Sequence, residues 1–260
     1  MRMARKAAVL PLLCVVAFVA AGCGASSKES FTALELVSQA VSKTTTTDSA
    51  KVHLAITSSA FTVTADGVAD NASHTARMTV GTAGRKAVVV LDETTVYVKL
   101  PPALTKLVPG GKPWVKLDLA QLSKLKGVDL AQLLQAVGQQ DPTQALQLLQ
   151  SVGNVREAGH EQIDGVDTTK YTGTLDPQKI AATFAGTGLA TIVGQIGATP
   201  IPVSVWIDGD GYVRKLDESL HAGGADVQIE ATLSDFGTNV DVTPPPADET
   251  TDLAALLPTK

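Results

Sequence analysis

Hydrophobic and polar residues alternate in run after run of this chain: Val52, Leu54 and Ile56, then Phe61 and Val63, Met78 and Val80, Val88 and Val90, Val96 and Val98. A period of two, rich in β-branched residues and broken by turn residues, is the pattern of antiparallel strands with one buried face. Trp114-Val115-Lys116-Leu117 adds a strand after the proline-rich break from Pro101 to Pro113, so at least six strands precede the middle of the chain. Asp66-Gly67 interrupts its run and reads as a bulge or a turn.

Helical periods frame these strands. Order is expected to begin near Phe31, where Thr32 and Glu35 match a capping box and Ala33, Leu36, Val37 and Ala40 recur at helical spacing. In the middle, Leu130, Leu133, Leu134 and Val137 follow Asp129, and Ala145, Leu148, Leu149 and Val152 follow Asp141-Pro142, with Gly153 as a cap. Strands are expected again over Val155 to Gln162 and Asp167 to Thr174. Asp176-Pro177 then opens a helical region through Ile180, Phe184, Leu189, Ile192, Val193 and Ile196, whose glycines favour two short pieces over one helix. The last third returns to strands: Val203, Val205 and Ile207, a turn at Asp208-Gly209-Asp210-Gly211, Val213 to Leu220, then Val227, Ile229, Ala231 and Leu233. Pro244-Pro245-Pro246 is expected to end the domain, with a final short helix from Asp252 to Leu257 and a frayed tail.

The N-terminus reads as an export signal. Arg2, Arg5 and Lys6 precede an apolar stretch, Ala7 to Ala21, that is too short to span a bilayer comfortably. Ala20-Ala21-Gly22-Cys23 resembles the bacterial lipobox, although Ala20 stands where leucine is usual. In such a box the cysteine sulfur receives a diacylglyceryl group and becomes the first mature residue, which makes Cys23 the expected lipid-attachment site. Two acyl chains suffice for stable anchoring at about 0.8 kcal/mol per buried methylene. The expected organisation is a lipoprotein signal peptide over 1–22, a lipidated flexible tether over 23–30, one domain over 31–243 and a Pro-rich tail over 244–260.

Removing residues 1–22 strips three positive charges and takes the net charge from −5 to −8. That acidity argues against a nucleic-acid partner. Cys14 leaves with the signal and lipidation uses Cys23, so no disulfide can form and a hydrophobic core must hold the exported domain together.

No motif for catalysis stands out. His53, His74, His160 and His221 lie on separate expected strands or turns without metal-ligand spacing, and read as solvent-facing. The Asp208-Gly209-Asp210-Gly211 run lacks the later positions of a calcium loop, where Tyr212 and Val213 stand, and reads as a tight turn. Gly186-Thr187-Gly188 does not continue into a dinucleotide fingerprint, and neither a Walker A sequence nor a GxSxG elbow occurs. Trp114 and Trp206 read as wall or core residues, since neither sits among basic residues in the sequence. No enzyme activity, metal or cofactor is expected. With 44% apolar but only 4% aromatic residues, the interior must be filled by Val, Leu and Ala. A curved sheet covered by helices could then enclose an apolar cavity or a solid core, and pattern alone leaves both open.

Several segments together resemble the actinobacterial LppX/LprA/LprF/LprG lipoproteins. They are the lipobox, the early helix and meander, Val96-Tyr97-Val98-Lys99-Leu100-Pro101, Lys112-Pro113-Trp114-Val115-Lys116-Leu117, and Val203-Ser204-Val205-Trp206-Ile207-Asp208 running into Gly211-Tyr212-Val213-Arg214-Lys215-Leu216. The resemblance covers about Phe31 to Val242. It implies an α+β fold, an antiparallel half-barrel sheet with helices packed on its concave face, similar to the LolA and LolB carriers. It also implies a cavity for an acylated lipid or glycolipid that is carried across the envelope from the extracytoplasmic face of the cell membrane, with an envelope transporter as a candidate partner. The expected cavity wall is Val52, Leu54, Ile56, Val63, Val80, Val88, Val90, Val96, Val98, Val203, Val205, Ile207, Val227 and Ile229, with Ile192, Val193 and Ile196 as a helical lid. A one-residue register error would invert any strand of this set. The alternative is a non-carrier envelope lipoprotein with a closed core, acting as an interaction or signalling module.

Overall fold

A computed structural model describes residues 32–47, 49–106, 108–118, 152–183, 197–222 and 225–252. Cys23, the helices expected around Asp129 to Val137 and from Ala145, and the lid residues Ile192, Val193 and Ile196 lie outside the described residues.

The first element is helix α1, Ala33–Thr45. Its start is set by the capping box: Thr32 Oγ1 accepts from the Glu35 amide at 3.3 Å, and a Glu35 carboxylate oxygen accepts from the Thr32 amide at 2.7 Å. Each bond satisfies a backbone donor that the first helical turn leaves without a partner. The Thr32 amide and the Thr32 hydroxyl, both donating to the Glu35 carboxylate, hold it below its usual range.

The strands follow as β1 (Ser49–Ser58), β2 (Thr62–Asp70), β3 (Thr75–Thr82), β4 (Arg85–Asp92), β5 (Thr95–Lys99) and β6 (Trp114–Asp118), with a one-turn helix α2 (Pro102–Thr105) before the last. Then come β7 (Val152–Ile163), β8 (Val166–Leu175), helix α3 (Pro177–Thr183), β9 (Ile201–Asp208), β10 (Val213–Ala222), β11 (Ala225–Ser234) and β12 (Thr250–Asp252). Asp176 opens α3 by accepting from the Gln178 amide at 3.0 Å, with Pro177 fully buried behind it. The twelve strands among the described residues form one sheet in the order β12-β6-β5-β4-β3-β2-β1-β11-β10-β9-β8-β7. Two antiparallel meanders are thus joined along β1 and β11, and β12 and β7 remain as separate edges of an open, curled sheet.

Three local expectations are corrected. Asp66-Gly67 is neither bulge nor turn, since β2 pairs without interruption on both sides. Glycine is needed there because a Cβ would collide with the Arg77 carbonyl oxygen and approach Met78 Cα to 2.8 Å. Val152 and Gly153, expected to close a helix, open β7 instead, paired with Leu175 and Thr174. The chain after Pro244-Pro245-Pro246 is not all tail: Thr250–Asp252 adds a strand parallel to β6, and the remainder of the helix expected from Asp252 to Leu257 lies outside the described residues. Lys112 Nζ holds this return by donating to the Thr250 carbonyl at 3.0 Å.

Helix α1 lies on one face of the sheet, and its Val37 and Ala40 are buried with Tyr171, Val203, Val205, Ile207 and Val213. Its C-terminal end is fastened to the β9–β10 turn. Lys43 Nζ donates to the Asp210 carbonyl and stands 4.2 Å from the Tyr212 ring centre, while Thr44 Oγ1 accepts from the Val213 amide at 2.9 Å. The turn is organised by Asp208, whose carboxylate accepts from the amides of Asp210 and Tyr212 and from Arg214 Nε, at 3.0, 2.9 and 2.5 Å. Gly211, at a φ of 83°, supplies the left-handed residue the turn requires.

Candidate functional site

Residues directly opposite in an antiparallel pair share a face of the sheet, so register assigns each wall candidate to a side. One row runs Val80, Ala65, Leu54, Ala231, Leu216, Val205 and Tyr171 across β3, β2, β1, β11, β10, β9 and β8. The next runs Val63, Ile56, Ile229, Glu218 and Val203. Because Tyr171, Val203 and Val205 pack with α1, both rows belong to the helix-covered inner face. Val52, Leu54, Ile56, Val63, Val80, Val96, Val98, Val203, Val205, Ile207, Val227 and Ile229 all lie on it.

Val88 and Val90 do not, and this corrects the expected wall. Val88 pairs with Thr79 and Lys99, and Val90 with Arg77 and Tyr97, all on the outer face. The inner positions of β4 are Val89, opposite Met78 and Val98, and Leu91, opposite Ala76 and Val96. Ala87 to Leu91 is apolar throughout and carries no alternation from which its phase could be read.

The inner face is not uniformly covered. Under α1, Val203, Val205 and Ile207 are at most 9% exposed. Beyond it, Val52, Leu54, Ile56, Val63, Val80, Val96, Val98, Val227 and Ile229 are only half-buried. At the end of the sheet where β1 and β10 finish and β9 and β11 begin, a rim cleft of about 520 Å³ straddles the two faces, lined by Ser58, Leu220 and Val227 from the inner one and by Thr57, Ser219 and Gln228 from the outer one. That volume falls within the range of small-molecule sites, roughly 300–1,000 Å³.

An acidic residue stands in the middle of the aliphatic rows, and sequence reasoning missed it. Glu218 on β10 stands between Val203 and Ile229 across the ladders and between Leu216 and Leu220 along its own strand. Burial pushes its carboxyl above the ordinary value of 4.5, with a further push from the Asp217 charge. The available signal was Leu216-x-Glu218-x-Leu220, an acid at an apolar phase.

Over β1, β2, β10 and β11 the outer face carries paired charges, whereas over β4 it holds Val90, which is fully buried. Lys215 bridges to Glu230 at 2.7 Å, Lys51 to Asp235 at 2.6 Å, and His53 to Asp66 at 2.5 Å. Trp114 and Trp206 are buried on this side, but basic residues do surround Trp206: Lys170 and Lys215 stand 4.5 and 5.2 Å from its ring centre. Its indole N–H donates to Glu161 at 2.7 Å. Among the described residues no group of His, Cys, Asp and Glu is arranged to hold a metal ion. No helix among them is long and apolar enough to cross a membrane.

The chain belongs to the LppX_LprAFG lipoprotein family, whose model matches residues 32–242. Among relatives, an uncharacterized 31.2 kDa protein of Streptomyces griseus is 27% identical over 154 residues, 57% of this chain and 50% of that protein. Lipoprotein LprA of Mycobacterium tuberculosis is 35% identical over 106 residues, 40% of this chain and 41% of its own. LppX of Mycobacterium bovis, named as a candidate phthiocerol dimycocerosate transporter, is 32% identical over 95 residues, 36% of each chain. The matches therefore span half or less of these relatives. The crystal structure of Mycobacterium tuberculosis LppX superposes with a TM-score of 0.54 at 21% identity, covering 81% of this chain and 98% of that one, which shows the shared fold.

Proposed function

We propose that this protein is a lipid-anchored carrier that holds an acylated lipid or glycolipid against the inner face of its sheet and moves it across the bacterial cell envelope. The observation that carries the reading is the aliphatic inner wall of Val80, Leu54, Val63, Ile56 and Ile229, half-buried where it extends beyond α1. Lifting an acyl chain of about 14 methylenes out of a bilayer costs about 11 kcal/mol at 0.8 kcal/mol each, so only an apolar surface of similar extent can receive it. Family membership supports the reading, as does the transport role in the name of the LppX relative.

Cys23 is the anchor in this account, carrying the diacylglyceryl group at the extracytoplasmic face of the cell membrane. Cys23→Ser is expected to release the chain into the soluble fraction, and membrane attachment that survives high salt in this variant would count against the anchor. The carrier role is tested by mass spectrometry of organic extracts from protein purified out of an actinobacterial host. A stoichiometric acylated lipid is expected; a clean apo protein that takes up no lipid would favour the closed-core interaction module.

A further inference from the structure

Glu218 is placed where a carboxyl group has no structural reason to be. Register fixes it on the inner face, because its ladder partners Val203 and Ile229 and its strand neighbours Leu216 and Leu220 all belong there. It lies one residue row inside the rim cleft, whose lining includes the adjacent Ile201, Leu220 and Val227. Its nearest neighbours in the row are β-branched, Ile229 and Val203, with Ile56 and Val63 beyond Ile229. Among the described residues it has no hydrogen-bond or ion-pair partner. Asp217, on the opposite side of the same strand, by contrast accepts from Gln228 Nε2 at 3.0 Å. A half-buried acid on an aliphatic wall is costly unless something hydrogen-bonds to it.

We infer that Glu218 is the polar contact of the lipid site, accepting a hydrogen bond from a hydroxyl group close to the ligand's acyl chains and rejecting lipids whose headgroup is anionic. This rests on the carrier reading above and narrows it to the class of ligand. A hydroxyl supplies the donor that the wall lacks. A phosphate or carboxylate would instead set like charges together in a poorly solvated site, where their repulsion is much stronger than in water.

The test is a competition between dioleoylglycerol and dioleoylphosphatidic acid, which have the same acyl chains and differ in a hydroxyl against a phosphate. Delipidated full-length protein in detergent is offered an equal mixture, and the bound lipids are quantified by mass spectrometry. The wild-type chain is expected to retain diacylglycerol in at least about tenfold excess, the size of one hydrogen bond to a charged group. In Glu218→Gln, which keeps the side chain's shape and removes its charge, the ratio is expected to fall to within about threefold of unity. Glu218→Leu provides a second variant whose wall is wholly apolar, and its ratio should fall in the same way. A wild-type ratio that both variants leave unchanged overturns the inference, as does a wild-type chain that takes up both lipids without preference. A wild-type chain that takes up neither overturns the carrier reading and this inference with it.

Discussion

The inner face under α1 and the inner face beyond it are made of the same residue types and end in different states. Val203, Val205 and Ile207 on β9 are closed over by Val37 and Ala40, whereas Leu54, Ile56 and Val63 on β1 and β2 stay half-buried. Sequence composition cannot explain the contrast, since both stretches alternate β-branched residues. Among the described residues, what differs is the layer above. Fully burying an aliphatic side chain contributes about 1.5–3 kcal/mol, so the α1 side carries much of the fold's stability. The other side leaves apolar area whose burial an acyl chain could complete.

The contrast predicts that a charge has opposite consequences on the two sides. Val205→Asp would put an unpaired carboxylate beneath α1 and should cost about 4 kcal/mol, lowering the thermal midpoint by about 10 °C. Ile56→Asp, on the half-buried wall, should cost only about 1–2 kcal/mol while reducing retained lipid by about tenfold or more. The outer-face change Val88→Asp should leave retention near the wild-type level, and equal losses from Ile56→Asp and Val88→Asp would erase the distinction between the faces.

A smaller effect probes the covering layer itself. Thr32→Ala removes half of the capping box and should cost about 1 kcal/mol, a fall of about 2–4 °C in a melt followed by circular dichroism. The smallest effect concerns Glu218. Because its folded-state value lies above 4.5, its ionised form is penalised in the folded chain. The penalty is absent below the unfolded value and grows as pH rises through the folded one. Glu218→Gln should therefore melt about 1–2 °C higher than wild type at pH 7 and match it near pH 4. A difference independent of pH would point to packing rather than charge.

Much of this organisation was legible in the chain. The capping box Thr32 and Glu35 gave the start of α1, and alternation gave β1, β3, β5, β9 and β11 with the correct inward phase. The phase of β4 was not legible, because five consecutive apolar residues satisfy either face. Strand β12 escaped notice because Thr250–Asp252 is short and polar, and only its pairing with β6 defines it. The unequal coverage of the inner face could not be read from alternation either, since period two reports a side and says nothing of what lies on it.

The most direct test of the account is where a bound acyl chain lies. Diacylglycerol carrying a diazirine along one chain, loaded into the protein and irradiated, would mark its neighbours for identification by tandem mass spectrometry. Labels on Leu54, Ile56, Val63 and Ile229 are the predicted result. Labels confined to the outer face at residues such as Thr79 or Val88, or no specific label at all, would contradict the claim that the half-buried wall is the lipid site.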